Sequence, residues 1–177
     1  PARRAFRLPL LMGALREMMA HPVVRLSILV QSLGFGTLFA MISTVQPVFD
    51  VSFGQGDRFH LYFGAIAICA ASASFLNAAL VMRLGMRRLV TAMLAAQVGL
   101  SGAMIAATLS GLPKDALFAV FLFWQFTVFF QAGMTIGNLN AIAMEPMGHI
   151  AGMAASVIGA VSTVVAVVLA APVGLMF

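Results

Sequence analysis

Asn138-Leu-Asn-Ala-Ile-Ala-Met-Glu-Pro-Met-Gly-His-Ile-Ala-Gly-Met-Ala-Ala-Ser156 decides how this chain is read. A long apolar run ends at Glu145, the only acidic residue after Asp115. Pro146 and His149 follow, and then a second apolar run studded with small residues. Proline interrupts a regular helix, because it lacks an N–H and crowds the preceding turn. The stretch reads as two membrane-spanning helices joined by a short polar hairpin of Glu145, Pro146 and His149. Glu145 and His149 stand four apart, but Pro146 between them argues against one continuous helical face. The hairpin is expected to cap helix ends and meet a neighbour on the cytoplasmic side, not to bind metal or catalyse.

The composition supports lipid as the solvent. The chain of 177 residues is 62% hydrophobic and 8% charged, against about 25% charged in ordinary soluble domains. A water-soluble fold of this size keeps much of its surface exposed and has no room to hide so much apolar area. The net charge of +5 does not point to nucleic acid, because the arginines stand at the ends of apolar runs, where they set membrane orientation. The single cysteine, Cys69, excludes a disulfide framework within the chain and any multi-cysteine metal site. It reads as a small packing residue.

The charges mark out the runs. Twenty-four uncharged residues separate Arg25 from Asp50, and 24 separate Arg58 from Arg83. Arg88 to Lys114 encloses 25 and Asp115 to Glu145 encloses 29. About 20 apolar residues cross the hydrocarbon core as a helix. The expected fold is all-α and integral to the membrane, with five transmembrane helices near 24–48, 59–82, 88–111, 116–143 and 149–174. The runs are continuously apolar and do not alternate, which excludes a barrel. Residues 1–22, with Arg3, Arg4, Arg7 and Arg16 among leucines, read either as an amphipathic surface segment or as a plain linker. Residues 23–177 form the transmembrane bundle.

Orientation follows from the basic residues. One set of loops holds eight: Arg3, Arg4, Arg7, Arg16, Arg25, Arg83, Arg87 and Arg88. The other holds Arg58 and Lys114. The richer side is expected to face the cytoplasm, with the N-terminus of the segment inside. The start at Pro1, the absence of a signal-peptide pattern and the odd span count read as a piece of a longer polypeptide. Gly133 with Gly137, Gly148 with Gly152, and the stripe Gly152, Ser156, Gly159 and Thr163 are expected to mark close helix contacts.

No span carries a charge away from its ends, so no intramembrane proton relay is legible. His21, His60 and His149 sit near span ends, and no metal, cofactor or nucleophile set can be assembled. Uncharged polar residues say more. Trp124, Thr127, Gln131, Thr135 and Asn138 recur at intervals of three or four on the fourth span. Gln31, Phe35, Phe39, Ile42 and Gln46 do the same on the first. Each set shares a helical face. Two such faces suit an amphipathic substrate cavity between helices, or else hydrogen bonding within the bundle. Gln46-Pro47 is expected to end the first span's regular ladder and to bend it.

Asn77-Ala-Ala-Leu-Val-Met-Arg-Leu-Gly-Met-Arg-Arg-Leu89 resembles the second-half copy of the loop motif of the major facilitator superfamily. Arg83, Gly85, Arg87 and Arg88 match that motif, whereas Met82 stands where its acid is found and Ala78 where its first glycine is found. Asn77, Leu80, Val81, Arg83 and Gly85, together with Ala143-Met-Glu-Pro-Met-Gly-His-Ile-Ala-Gly152 and Ser43 to Pro47, look more specifically like the Bcr/CflA group of drug:proton antiporters. The resemblance runs from about Val23 to Phe177. It implies helices seven to eleven of twelve, with an N-terminal half of the same polypeptide as partner. In that superfamily the seventh and tenth helices line the central cavity, and the coupling acids tend to lie in the N-terminal half. The function it implies is proton-coupled efflux of drugs or other small lipophilic molecules across a bacterial inner membrane. No cofactor is implied. A carrier for a sugar or organic acid, and a non-transporting oligomeric scaffold, are the rival readings.

Overall fold

The computed structural model describes residues 8–176. Among them the chain forms helices and short connections, with no strand. Helix α1 (Leu8–Ala20) is followed across His21 by α2 (Pro22–Pro47), α3 (Phe59–Leu84), α4 (Met86–Leu109), α5 (Lys114–Met144) and α6 (Ala151–Gly174). Four continuous helical stretches are long and apolar enough to cross a membrane, and the last, Lys114–Gly174, contains both α5 and α6. Their large apolar side chains stand widely exposed: Ile68 is 77% accessible and Phe75 80%. Such faces suit an apolar solvent.

The helix ends fall beside charges. Arg58 precedes α3, Arg83 lies in its last turn, Lys114 and Asp115 open α5, and Glu145 follows it. The residues that bound the apolar runs thus also bound the helices, the pattern that suits a membrane-length helix because charged side chains are costly in hydrocarbon. Between α3 and α4 the chain turns at Gly85 alone, with φ 79° and ψ 151°, a conformation that a Cβ makes costly. The regular α-helical ladder of α2 ends at Pro47, without breaking the helical stretch. The stretch continues as a π-helical turn, Val48–Ser52. Proline removes one donor, and a locally wider turn is one way a helix absorbs that loss. The turn carries Phe49 into full burial, with its ring centroid 5.3 Å from Phe59, 5.4 Å from Phe118 and 5.9 Å from Phe121. These aromatic contacts fasten α2 to α3 and α5 at the end away from the arginines.

Helix α5 is the central element, packed against α2, α3 and α4. Helix α2 also packs along α6. Ile28 clusters with Ile158, Gly36 meets Leu169, and Ser43 lies beside Gly174, so α6 runs parallel to α2. The chain therefore reverses after α5, in a 3-10 segment Glu145–Ile150 whose Met147 leaves helical geometry at φ −109° and ψ 23°. A second core lies at the basic end, where Met18 of α1 is fully buried with Val24, Ala143 and Met147. Arg3, Arg4 and Arg7 of the basic segment lie outside the described residues.

The small residues are used differently from the expectation. A Cβ on Gly133 would stand 2.9 Å from the Cβ of Ala73, so α5 and α3 touch there. Gly137, Gly148, Gly152 and Gly159 have open space instead, and Ser156 and Thr163 are exposed. The close approach of α2 to α6 uses Gly36 and Gly174. A small stripe permits an approach but does not choose the neighbour. Cys69 is likewise exposed on α3 and is not a packing residue.

Candidate functional site

A cavity of about 480 Å³ lies among α2, α5 and α6. Its wall is Gly36, Ala40 and Thr44 of α2, Val48 of the π-helical turn, Phe121 and Trp124 of α5, and Leu169 and Val173 of α6, with Leu33, Thr37, Met41 and Val45 completing α2's side. The volume is within the range of small-molecule sites, and the lining is apolar with few polar groups, as such sites are built. Thr37 and Thr44 donate to the carbonyls of Leu33 and Ala40 at 3.0 and 2.8 Å. Their hydroxyl oxygens keep lone pairs that remain free to accept.

Trp124 is the one residue of the two polar-aromatic stripes on this wall. Its indole N–H donates to Ser101 Oγ of α4 at 3.1 Å, and Gln97 Nε2 reaches the same hydroxyl at 3.4 Å. The rest of the α5 stripe is engaged within the bundle. Thr127 donates to the Trp124 carbonyl at 2.7 Å. Gln131 Nε2 donates to Thr135 Oγ1, and Thr135 donates back to the Gln131 carbonyl, both at 2.9 Å. Asn138 Nδ2 donates to Asn77 Oδ1 of α3 at 2.6 Å and to the Met134 carbonyl at 2.8 Å.

The α2 stripe diverges along its length. Gln31 is buried, Phe35 and Phe39 are half-buried and stacked at 6.0 Å, and Gln46 is exposed. Phe39 fronts a separate depression with Ser43, Ala170 and Gly174. The edge of α2 carrying Gly36, Ala40 and Thr44 lies roughly half a turn from the edge carrying Gln31, Phe35 and Phe39. The two stripes are therefore not opposed across the 480 Å³ cavity. Spacing shows that residues share a face, not which neighbour that face meets. Buried polar groups in an apolar bundle take the nearest partners: α4 and α3 supply them to Trp124 and Asn138, and α5 itself to Thr127, Gln131 and Thr135.

Four residues carry buried polar atoms that lack partners among the described residues. Gln125 is fully buried with neither amide atom bonded, and His21 Nδ1, Gln31 Oε1 and Ser162 Oγ are likewise unbonded. Each such group costs free energy unless something satisfies it. Gln125 lies off the polar stripe beside Trp124, which is why spacing did not single it out. The spacing Gly36, Ala40, Thr44 is the signal in the sequence that marks the cavity edge of α2.

At the basic end the hairpin residues separate. Glu145 lies 3.6 Å from Arg87, and His149 Nε2 lies 2.9 Å from Glu17, with all four side chains substantially exposed. Pro146 opens the 3-10 segment, and Arg83, Gly85 and Arg88 surround the α3–α4 turn. Exposed ion pairs contribute little stability, a median near 0–1 kcal/mol. Among the described residues no three of His, Cys, Asp and Glu converge to hold a metal. Comparison with protein-family models, with curated proteins and with solved structures returns no match.

Proposed function

We propose that this chain is part of a multi-pass membrane transporter for small lipophilic molecules, working by alternating access. The observation that carries the reading is the 480 Å³ cavity within a bundle of membrane-length helices. Its wall offers an aromatic face at Trp124 and Phe121, aliphatic surface, and two threonine hydroxyls. That lining favours an apolar substrate over a sugar or organic acid, whose polar groups would go unmatched there. The buried, unbonded amides of Gln31 and Gln125 are the groups best able to bond a substrate in a second state of the bundle.

The likeness of Asn77–Leu89 and Ala143–Gly152 to the major facilitator superfamily supports proton-coupled efflux in a bacterial inner membrane. On that reading an N-terminal half of the same polypeptide completes the transporter, and the basic end faces the cytoplasm. The two halves would rock about a midplane site. The test is transport by the native polypeptide in vesicles bearing an imposed pH gradient, with a lipophilic fluorescent dye as substrate. Gradient-driven movement of the dye, reduced by Ala40→Phe, is expected. Dye movement that is independent of the protein, or untouched by filling the cavity, would overturn the reading.

A further inference from the structure

A second cavity, of about 250 Å³, lies at the basic end between α2 and α4, floored by α5. Both helices begin at this end, and the last turns of α5 finish there. Arg87 stands on its wall in the first turn of α4. Thr91 and Leu94 follow one and two turns deeper, opposite Ser27 and Val30 of α2, with Leu139 of α5 below and Ile142 nearer the helix ends. From Arg87 to Leu94 the wall descends roughly 10 Å at the rise of an α-helix. The wedge is thus cationic at the level of the helix ends and aliphatic below. An anionic head joined to a hydrocarbon chain matches that gradient.

We propose that this wedge binds an anionic phospholipid, with its phosphate on Arg87 and one acyl chain along Val30, Leu94 and Ile142. The site rests on reading these helices as membrane-embedded. Basic pockets between membrane helices are a recurring way to hold such headgroups. Glu145 competes for Arg87 from 3.6 Å, but the contact is exposed on both sides. It is also longer than the 2.7–2.9 Å of a strong charge-assisted bond. A guanidinium has five N–H donors, so Arg87 has donors to spare for a phosphate. Arg83 and Arg88 flank the same turn and add positive field without lining the wedge.

The test uses the chain reconstituted in phosphatidylcholine vesicles containing a minority of phosphatidylglycerol. Vesicle flotation is read first. The chain is then exchanged into neutral detergent, and the phospholipid retained per chain is measured by mass spectrometry. Phosphatidylglycerol is expected to be enriched over its share of the vesicle. Arg87→Gln should lower the enrichment roughly fivefold, the worth of one arginine at an anionic surface. Glu145→Gln should raise it, and Arg58→Gln at the opposite end should leave it unchanged. Leu94→Trp fills the wedge while leaving every arginine in place, and should abolish retention. Helix content by circular dichroism identifies any variant that fails to fold.

A chain that does not float would overturn the membrane reading and the site with it. A chain that floats yet retains both lipids in vesicle proportion would overturn the site alone. Retention untouched by Leu94→Trp, or displaced by free inorganic phosphate, would also overturn it, since the anion would then be held without its chain.

Discussion

Gly133→Ala is expected to destabilise the bundle, whereas Gly137→Ala, one turn along the same helix, is expected to stabilise it. Both changes exchange glycine for alanine inside α5, where alanine is favoured by about 1 kcal/mol. They differ in what the new methyl group meets. At Gly137 nothing lies within 4 Å, but at Gly133 the methyl would stand 2.9 Å from the Cβ of Ala73 on α3. Two carbon atoms do not settle below about 3.5 Å, so the helices must separate or shift. Overpacking of this kind costs about 1–3 kcal/mol. The propensity gain cancels between the two variants, and that cost is the expected difference. In a chain of this size it corresponds to a melting temperature lower by about 2–4 °C per kcal/mol. The assay is thermal unfolding followed by circular dichroism in detergent micelles. Ala73→Gly removes the opposing methyl but costs about 1 kcal/mol of helix propensity by itself; with that single-mutant cost subtracted, the cycle with Gly133→Ala should give a coupling of the same size as the clash. Equal stability of Gly133→Ala and Gly137→Ala, or no coupling in the cycle, would refute the α3–α5 contact.

Other variants test other joints of the structure. Met18→Ala should cost about 2–5 kcal/mol, as for a buried methionine emptied to alanine, and should expose His21–Pro22 to limited proteolysis, whereas Glu17→Gln should change stability by less than about 1 kcal/mol because its pair with His149 is exposed. A double-mutant cycle between Asn77→Leu and Asn138→Leu should give a coupling of roughly 0.6 kcal/mol, the mean for hydrogen bonds between membrane helices, read by unfolding in mixed micelles. Ser101→Ala should remove the acceptor of the Trp124 indole and cost about 0.5–1.5 kcal/mol, with a shift in tryptophan emission as the accompanying readout.

The helical architecture was legible because charge is so scarce. Arg58, Arg83, Lys114 and Glu145 bound apolar runs in the sequence and helices in the structure, as expected of helices apolar enough to cross a membrane, where a charge is costly. Gly85 was legible as the bend because a turn this short needs the conformation only glycine adopts cheaply. Pro47 was legible as the end of the regular ladder. The wider turn that follows, and carries Phe49 in among Phe59, Phe118 and Phe121, was not, because that packing involves residues far along the chain. The glycine stripes were misleading. Gly152 and Gly159 have the shape for close contact and no neighbour among the described residues, while Gly36 and Gly174 have neighbours without belonging to a glycine pair. In the candidate site, spacing grouped Trp124 with Gln131 and Asn138 correctly as one face of α5. Which helix that face meets depends on how α2, α3 and α4 are arranged around it, and single-helix periodicity carries none of that. Gln125 shows the same limit, since its burial comes from its neighbours.

The most direct test of the account is whether the cavity beside Trp124 takes a small lipophilic molecule. Trp124 is the only tryptophan in the chain, so its fluorescence reports on that wall alone. The purified chain in detergent micelles is titrated with an aromatic lipophilic cation, alongside Ala40→Phe, which fills the cavity without touching the indole bond to Ser101. A saturable change in emission in the unaltered chain, lost in Ala40→Phe, is the expected result. A change that never saturates, or one identical in both proteins, would mean that the molecule partitions into detergent and that the cavity is not its site.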